Sequence, residues 1–191
     1  MLLLVGLGNP GPKDINNRHN IGFRIIDAVN SHFKLSKQKP KFKGLLTTGM
    51  IGEHKVYAIK PLTFMNNSGT AIKELIDYFK IETKDIIVFH DDLDIDFGKI
   101  KAKFAGSSAG HHGIESIDKF IGKDYSRVRI GIGQPKDKKK VNNHVLEDFK
   151  EDEEDLIREI SENIVKLLPT LLEKKIDLFS SKVNSNLLSL I

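Results

Sequence analysis

Apolar residues fall along this chain in two rhythms, continuous or alternating runs and helical steps, and the rhythms interleave from one end to the other. Leu2 to Leu7 is an unbroken apolar run, which predicts a buried strand. The chain then stays polar through Asn20, after which Ile21, Ile25, Ile26, Val29 and Phe33 predict a helix over about 20–34. The basic, Pro-containing SKQKPKFKG reads as a connection, and GLLTTGMI and KVYAIKP around GEH read as a β-hairpin. Ile72, Leu75, Ile76 and Phe79 step as a second helix, with Asn67 or Ser68 placed to cap it. DIIVFHDD is an apolar strand ending in acids, and KIKAKF alternates Lys with apolar residues. The Gly/Ser-rich AGSSAGHHG leads into a helix bearing Ile114, Ile117, Phe120 and Ile121, and RVRIGIG returns as a strand. A long amphipathic helix follows near 151–174, with a kink or break expected at Pro169, and the NSNLLSLI tail carries no motif. The hairpin interrupts a simple strand–helix alternation. The expectation is an α/β fold, one domain over 1–191 with a C-terminal helical segment from about 151. Its sheet is expected to be mixed, mostly parallel and twisted, flanked by helices on both faces.

Composition narrows the chemistry. The chain has 191 residues, enough for a substantial core without metals or disulfides. It has no cysteine, which removes a disulfide framework, a thiolate zinc site and a cysteine nucleophile. The first apolar run is too short for a signal peptide and no later run approaches a membrane span, so a cytoplasmic protein with no membrane partner is expected. A net charge of +4 is compatible with a polyanionic partner, but the location of the charges decides that.

Gly6, Gly8 and Gly11 spell the dinucleotide-binding pattern G-x-G-x-x-G. That chemistry needs the loop to open straight into a helix and an acid at the end of the second strand. Here Pro10 and Pro12 bracket Gly11, the helix starts late, and Asp27 lies inside it, so the glycines read as turn-formers instead. No Walker phosphate loop and no G-x-S-x-G elbow occurs. What the loop delivers is Asn9 and His19, at the exit of the first strand, where ligands gather in sheets of this type. His90, Asp91, Asp92 and Asp94 lie at another strand exit, and His111 and His112 open a helix. His19 with Asp91 forms a candidate base and orienting carboxylate acting on water. The same residue types also suit a divalent metal. Asn9 and Asn66 offer amides for a carbonyl, beside an apolar wall of Phe64 and Met65. Lys101, Lys103, Arg127 and Arg129 alternate on strands and predict a one-faced basic strip of the kind a nucleic-acid backbone needs.

Taken in order and spacing, VGLGNPG, RHNIG, PLTFMNNSG, HDDLD, GHHG and RVRIGIG resemble the bacterial peptidyl-tRNA hydrolase family, over about Leu2 to Val145. The resemblance implies a monomeric enzyme without metal or cofactor. It would cleave the ester between a peptide and the 3′ end of tRNA, recycling tRNA from prematurely released peptidyl-tRNA. It implies His19 as the general base, Asp91 as its orienting carboxylate, and Asn9, Phe64, Met65, Asn66 and His111 as substrate contacts. Lys101, Lys103 and Arg127 would then touch the tRNA backbone, towards the acceptor stem. Two positions depart from the family's pattern: His112 stands where GHNG has Asn, and Asp14 stands where a tyrosine is frequent. A non-catalytic RNA-binding protein on the same fold is the alternative reading.

Overall fold

The computed structural model describes residues 1–188, apart from the side chain of Lys138; Ser189, Leu190 and Ile191, the end of the tail, lie outside the described residues. In chain order the elements are β1 (Leu2–Gly6), α1 (Ile21–His32), β2 (Lys39–Lys41), β3 (Gly44–Ile51), β4 (His54–Pro61), α2 (Ser68–Phe79), β5 (Ile86–Asp92), β6 (Ile100–Phe104), α3 (His112–Ile121), β7 (Ser126–Gly131), α4 (Val141–Leu146), α5 (Glu151–Leu172) and α6 (Ile176–Leu188). The strands form one seven-stranded sheet in the order β2-β3-β4-β1-β5-β7-β6. Its centre, β4-β1-β5-β7, is parallel, and the antiparallel pairs lie towards the edges. A mixed sheet with a parallel centre follows from crossover helices between β1, β4, β5 and β7 and a hairpin between β3 and β4.

Alternate residues of the central strands supply two cores. Leu2, Leu4, Phe89, Val128 and Ile130 pack against Ile21, Ile25 and Val29 of α1 and Ile157, Ile160 and Ile164 of α5. Leu3, Val5, Ile86 and Val88 face the other way, onto Ile72, Leu75 and Ile76 of α2 and Ile114 and Ile117 of α3. Period-2 strands meeting period-3.6 helices on both faces is the arrangement the apolar pattern predicts. No helix among the described residues is long and apolar enough to cross a membrane.

The glycines of the first loop do less turning than their sequence suggests. Gly11 alone of the three has a positive φ, +117°. A Cβ on Gly6 would lie 2.2 Å from the Gly22 carbonyl oxygen, and one on Gly22 would lie 2.4 Å from both the Leu7 nitrogen and the Phe89 carbonyl oxygen. These glycines let α1 sit directly on β1 and β5, which fixes where the residues just before α1 emerge.

Other details differ from the pattern-based expectation. The helix is not broken at Pro169; α5 continues to Leu172, and Lys174, with φ 63°, turns the chain. Pro169 lies in the last turn, where it removes a single helical hydrogen bond while Leu168, Leu171 and Leu172 stay buried. Neither Asn67 nor Ser68 caps α2 by its side chain, because a 3₁₀ turn at Met65–Asn67 precedes the helix and Ser68 Oγ donates to the Met65 carbonyl. The connection SKQKPKFKG contains β2, an exposed edge strand of Lys39, Pro40 and Lys41, residue types that discourage edge pairing. At the opposite edge the tail does carry a device. Asn184 of α6 accepts from the Ile100 N–H at 2.9 Å and donates to the Ile100 carbonyl at 2.7 Å, closing the free side of β6.

Candidate functional site

His19 is placed by a short chain of amide and carboxylate contacts. Asp14 Oδ1 accepts from Asn17 Nδ2 at 3.0 Å, and Asn17 Oδ1 accepts from the Asn20 N–H at 3.1 Å, capping the 3₁₀ turn Arg18–Asn20. Asn20 then clamps Asn9 from both sides, accepting its N–H and donating to its carbonyl, each at 2.8 Å. The Asn9 side chain in turn accepts the Met65 N–H at 2.8 Å. With that oxygen occupied, the Asn9 NH2 group remains to donate to a ligand in the cleft. The loops after β1 and β4 are thus locked to the start of α1. Phe64, the residue before Met65, has a positive φ of 53° and a ring that is 61% exposed, a strained conformation that displays an aromatic face.

Asp91, buried at the end of β5, receives His19 Nδ1 at 2.9 Å from each of its two oxygens, and His111 Nε2 at 2.9 Å. A carboxylate accepts, so His19 carries its proton on Nδ1 and keeps a lone pair on Nε2. The tautomer of His111 is fixed independently. Its Nδ1 accepts the N–H groups of Gly113 and Ile114, capping α3, so its proton is on Nε2 and points to Asp91. Burial raises the proton affinity of the Asp91 carboxyl, but the charges and hydrogen bonds of His19 and His111 outweigh it and hold Asp91 well below the usual carboxylate range. For His19, burial disfavours the cation, yet Asp91, by charge and hydrogen bond, and Asp14 more than compensate and raise it above the ordinary imidazole value.

The atoms of His19, Asp91 and His111 also lie within 4.8 Å of one another, close enough for a metal ion. Binding one there through His111 Nε2 would move its proton to Nδ1 and break the cap of α3. The donor set therefore fits a hydrogen-bonded relay better than a metal centre. The remaining acids of HDDLD are committed elsewhere: Asp92 accepts from Arg129 Nε at 2.7 Å and from the Asp94 N–H at 2.9 Å, and Asp94 accepts from Gln134 at 2.8 Å.

Two connected spaces open around His19. A cleft of about 580 Å³ is lined by Asn9, His19, Phe64, Met65, Asn66 and His112, and closed on one side by Asn142, Val145 and Leu146. A recess of about 80 Å³ is lined by Asp91, His111, Ser108, Ala109 and Gly110. Asn9, His19, Phe64, Met65, Asn66, Asp91, His111 and His112 therefore surround one site. His112 is exposed and its Nδ1 lies 3.3 Å from Glu115. No local sequence pattern marks α4 as a cleft wall, nor the residue that anchors it. Arg18, 3% exposed, reaches the Glu147 carbonyl at 3.3 Å and Glu153 at 2.9 Å, tying the 3₁₀ turn that carries His19 to the segment between α4 and α5.

Four expected contacts fall outside the cleft. Asp14 holds Asn17 instead of lining the space. Lys101 and Lys103 do share a face with Arg127 and Arg129, since β6 and β7 pair Lys101 with Arg129 and Lys103 with Arg127. Arg127, however, is 1% exposed and cannot meet a phosphate. Its guanidinium donates to Asp118 at 2.9 Å and to the Ser107 carbonyl at 2.8 Å, over the Tyr125 ring. Removing one partner of a buried ion pair strands the other, so Arg127→Gln is expected to lower stability by about 3 kcal/mol in urea denaturation. Lys101→Gln, on the exposed edge, is expected to shift it by less than about 0.5 kcal/mol. A stable Arg127→Gln protein with weakened tRNA binding would reverse the assignment.

Comparison with known proteins agrees with this geometry. The profile of the peptidyl-tRNA hydrolase family matches residues 3–189. The chain is 70% identical over 185 residues to a peptidyl-tRNA hydrolase of Pelagibacter ubique, covering 97% of this chain and all of that protein. It is 45% identical to one from Ehrlichia ruminantium, covering 95% of this chain and 93% of that one. The crystal structure of peptidyl-tRNA hydrolase from Acinetobacter baumannii superposes with a TM-score of 0.90 at 32% identity, covering 96% of this chain and 94% of that one. Sequence, fold and site converge: the chain belongs to the peptidyl-tRNA hydrolase family.

Proposed function

We propose that this chain carries out its family's reaction, hydrolysis of peptidyl-tRNA, through a water molecule activated by His19 and without a covalent intermediate. The observation that carries the reading is the pairing of His19 Nδ1 with both Asp91 oxygens, which leaves the Nε2 lone pair free on a ring that lines the cleft. Water placed there loses its proton to Nε2 as its oxygen attacks the ester carbonyl. Asp91 stabilises the imidazolium so formed, and the proton then passes to the departing ribose oxygen, freeing tRNA and a peptide acid. The Asn9 NH2 group and the exposed Asn66 amide are placed to donate to the carbonyl oxygen as it gains charge, while Phe64, Met65, Val145 and Leu146 supply apolar walls. No metal or cofactor takes part in this scheme.

The 3′ end of tRNA enters the cleft in this reading, with the acceptor stem towards Lys101 and Lys103. His112 replaces an amide by a ring that donates from one nitrogen at a time, so it offers the substrate a narrower set of hydrogen bonds. The enzyme is read as a monomer, as the family resemblance implies, and a tRNA substrate supports the cytoplasm. No observation favours the non-catalytic RNA-binding alternative.

The test is cleavage of N-acetyl-aminoacyl-tRNA beside its unblocked form, with and without chelator, across pH. The blocked substrate should be cleaved, the unblocked one spared, and chelator should change nothing. Because His19 must be unprotonated to act and its proton affinity is raised, kcat/KM should climb with pH through a limb centred above about 6.5. Binding in a gel shift without cleavage, or loss of activity in chelator, would overturn the proposal.

A further inference from the structure

The relay around Asp91 leaves one buried histidine without a task. His90 precedes Asp91 on β5, is 3% exposed, and points to the opposite face of the sheet. Its Nδ1 lies 2.7 Å from the Asp91 carbonyl oxygen, and its ring meets the His111 ring edge-on, centroids 4.8 Å apart. Its Nε2 is buried with no hydrogen-bond partner. A carbonyl only accepts, so the proton of His90 is on Nδ1 and the orphaned Nε2 bears a lone pair.

An unpartnered buried acceptor costs about 1–3 kcal/mol, so packing alone favours an apolar side chain at this position. What the histidine supplies is an N–H where the sheet runs out. The β1–β5 ladder ends with the Leu7 N–H on the Phe89 carbonyl. Two residues on, the Asp91 carbonyl lies on the same strand edge, past the end of β1. The groups that face His90 are His111 from the start of α3, Arg127 from β7 and Asp91 on its own strand. Burial first, then His111 and Arg127, oppose a charge on the ring and outweigh Asp91, so it stays neutral.

We propose that His90 is a positioning residue for the hydrolytic reaction: its Nδ1–H fixes the backbone of Asp91 while its ring fixes His111, and together they hold the carboxylate against His19. The inference rests on His19 and Asp91 acting as assigned above. Without the N–H, the Asp91 carboxylate drifts and supports the His19 imidazolium less well. The effect falls on kcat, since His90 touches no part of the cleft. It also lowers the proton affinity of His19, whose other charged or titratable neighbours are Asp14 in its own loop and His111 and His112 at the start of α3.

The test compares His90→Asn, His90→Gln and His90→Phe on N-acetyl-aminoacyl-tRNA, with rates normalised to the folded fraction and His19→Ala alongside. An Asn amide sits near the place of Nδ1 and keeps the donor, whereas Gln carries its amide further out and Phe has none. The Gln and Phe variants should lose about tenfold in kcat with KM within about twofold, the loss of one hydrogen bond's worth of positioning. Their acid limb of kcat/KM should move to lower pH, and the Asn variant should recover most of the rate and the limb. If all folded variants lose equally, or Gln and Phe keep the wild-type kcat and limb, the inference is overturned. Should Phe fail to fold, the contrast between Asn and Gln decides alone. A turning-over His19→Ala protein would instead sink the assignment of the base, a result distinct from any His90 outcome.

Discussion

His19→Ala should release tRNA from N-acetyl-aminoacyl-tRNA at a rate lower by roughly 10³-fold or more, since removal of a positioned general base forfeits about 10²–10⁴. The fold should survive. The turn that holds residue 19 is fixed by Asn17, Asn20 and the close approach of Gly6 and Gly22, none of which needs the imidazole. Stability should fall in a pH-dependent way. A raised folded-state proton affinity means that the stabilisation from the His19–Asp91 pair is fully present below the ordinary imidazole value and fades as pH rises through the raised one. The gap in urea midpoint between wild type and His19→Ala should thus be wider near pH 6 than near pH 9. A cavity now opens from the cleft to Asp91, so added imidazole should restore part of the rate. Turnover near that of wild type without imidazole would remove His19 from the mechanism.

The parts of this site that sequence made legible are those fixed by residue type at a strand exit. Asn9, His19 and Asp91 follow apolar runs that end in polar residues, and parallel strands bring such ends together. Arg127 was misread because alternation reports which face a side chain takes, not what covers that face; here Asp118 of α3, Tyr125 and the Ser107 carbonyl cover it. Asn20 and Asn184 were silent for a related reason. Their partners, the backbone of Asn9 and of Ile100, lie 11 and 84 residues away, and no local pattern encodes a side chain standing in for a strand. α4 is six residues long, too short for an apolar period to register, although it walls the cleft. Pro169 leaves α5 unbroken because it occupies the final turn, where its penalty is smaller than in mid-helix.

Asp91→Asn should be nearly as damaging as loss of the base, by on the order of 10³ in kcat, although it is close to isosteric. Asp91 Oδ1 receives both His19 Nδ1 and His111 Nε2, and Oδ2 receives His19 Nδ1 as well. An amide keeps one of these oxygens as an acceptor and puts an NH2 group in the place of the other. His111 cannot adapt, because its Nδ1 is held by the first N–H groups of α3, so the amide oxygen takes the Oδ1 place and the NH2 group takes the Oδ2 place, against the Nδ1 of His19. That NH2 group meets the Nδ1–H of His19 donor to donor, which favours the tautomer with the proton on Nε2, where the attacking water needs a lone pair. The base is present but in the wrong tautomer, and the anion that stabilises its cation is gone. The acid limb of any residual activity should move below that of wild type, since Asp91 is what raises His19. Coupling distinguishes this from simple loss of an orienting contact: adding His111→Gln, which no longer requires an acceptor at residue 91, should let the Asn rotate and recover part of the lost rate. If the double variant is no faster than Asp91→Asn while remaining folded, the tautomer account fails and the charge of Asp91 alone carries the effect.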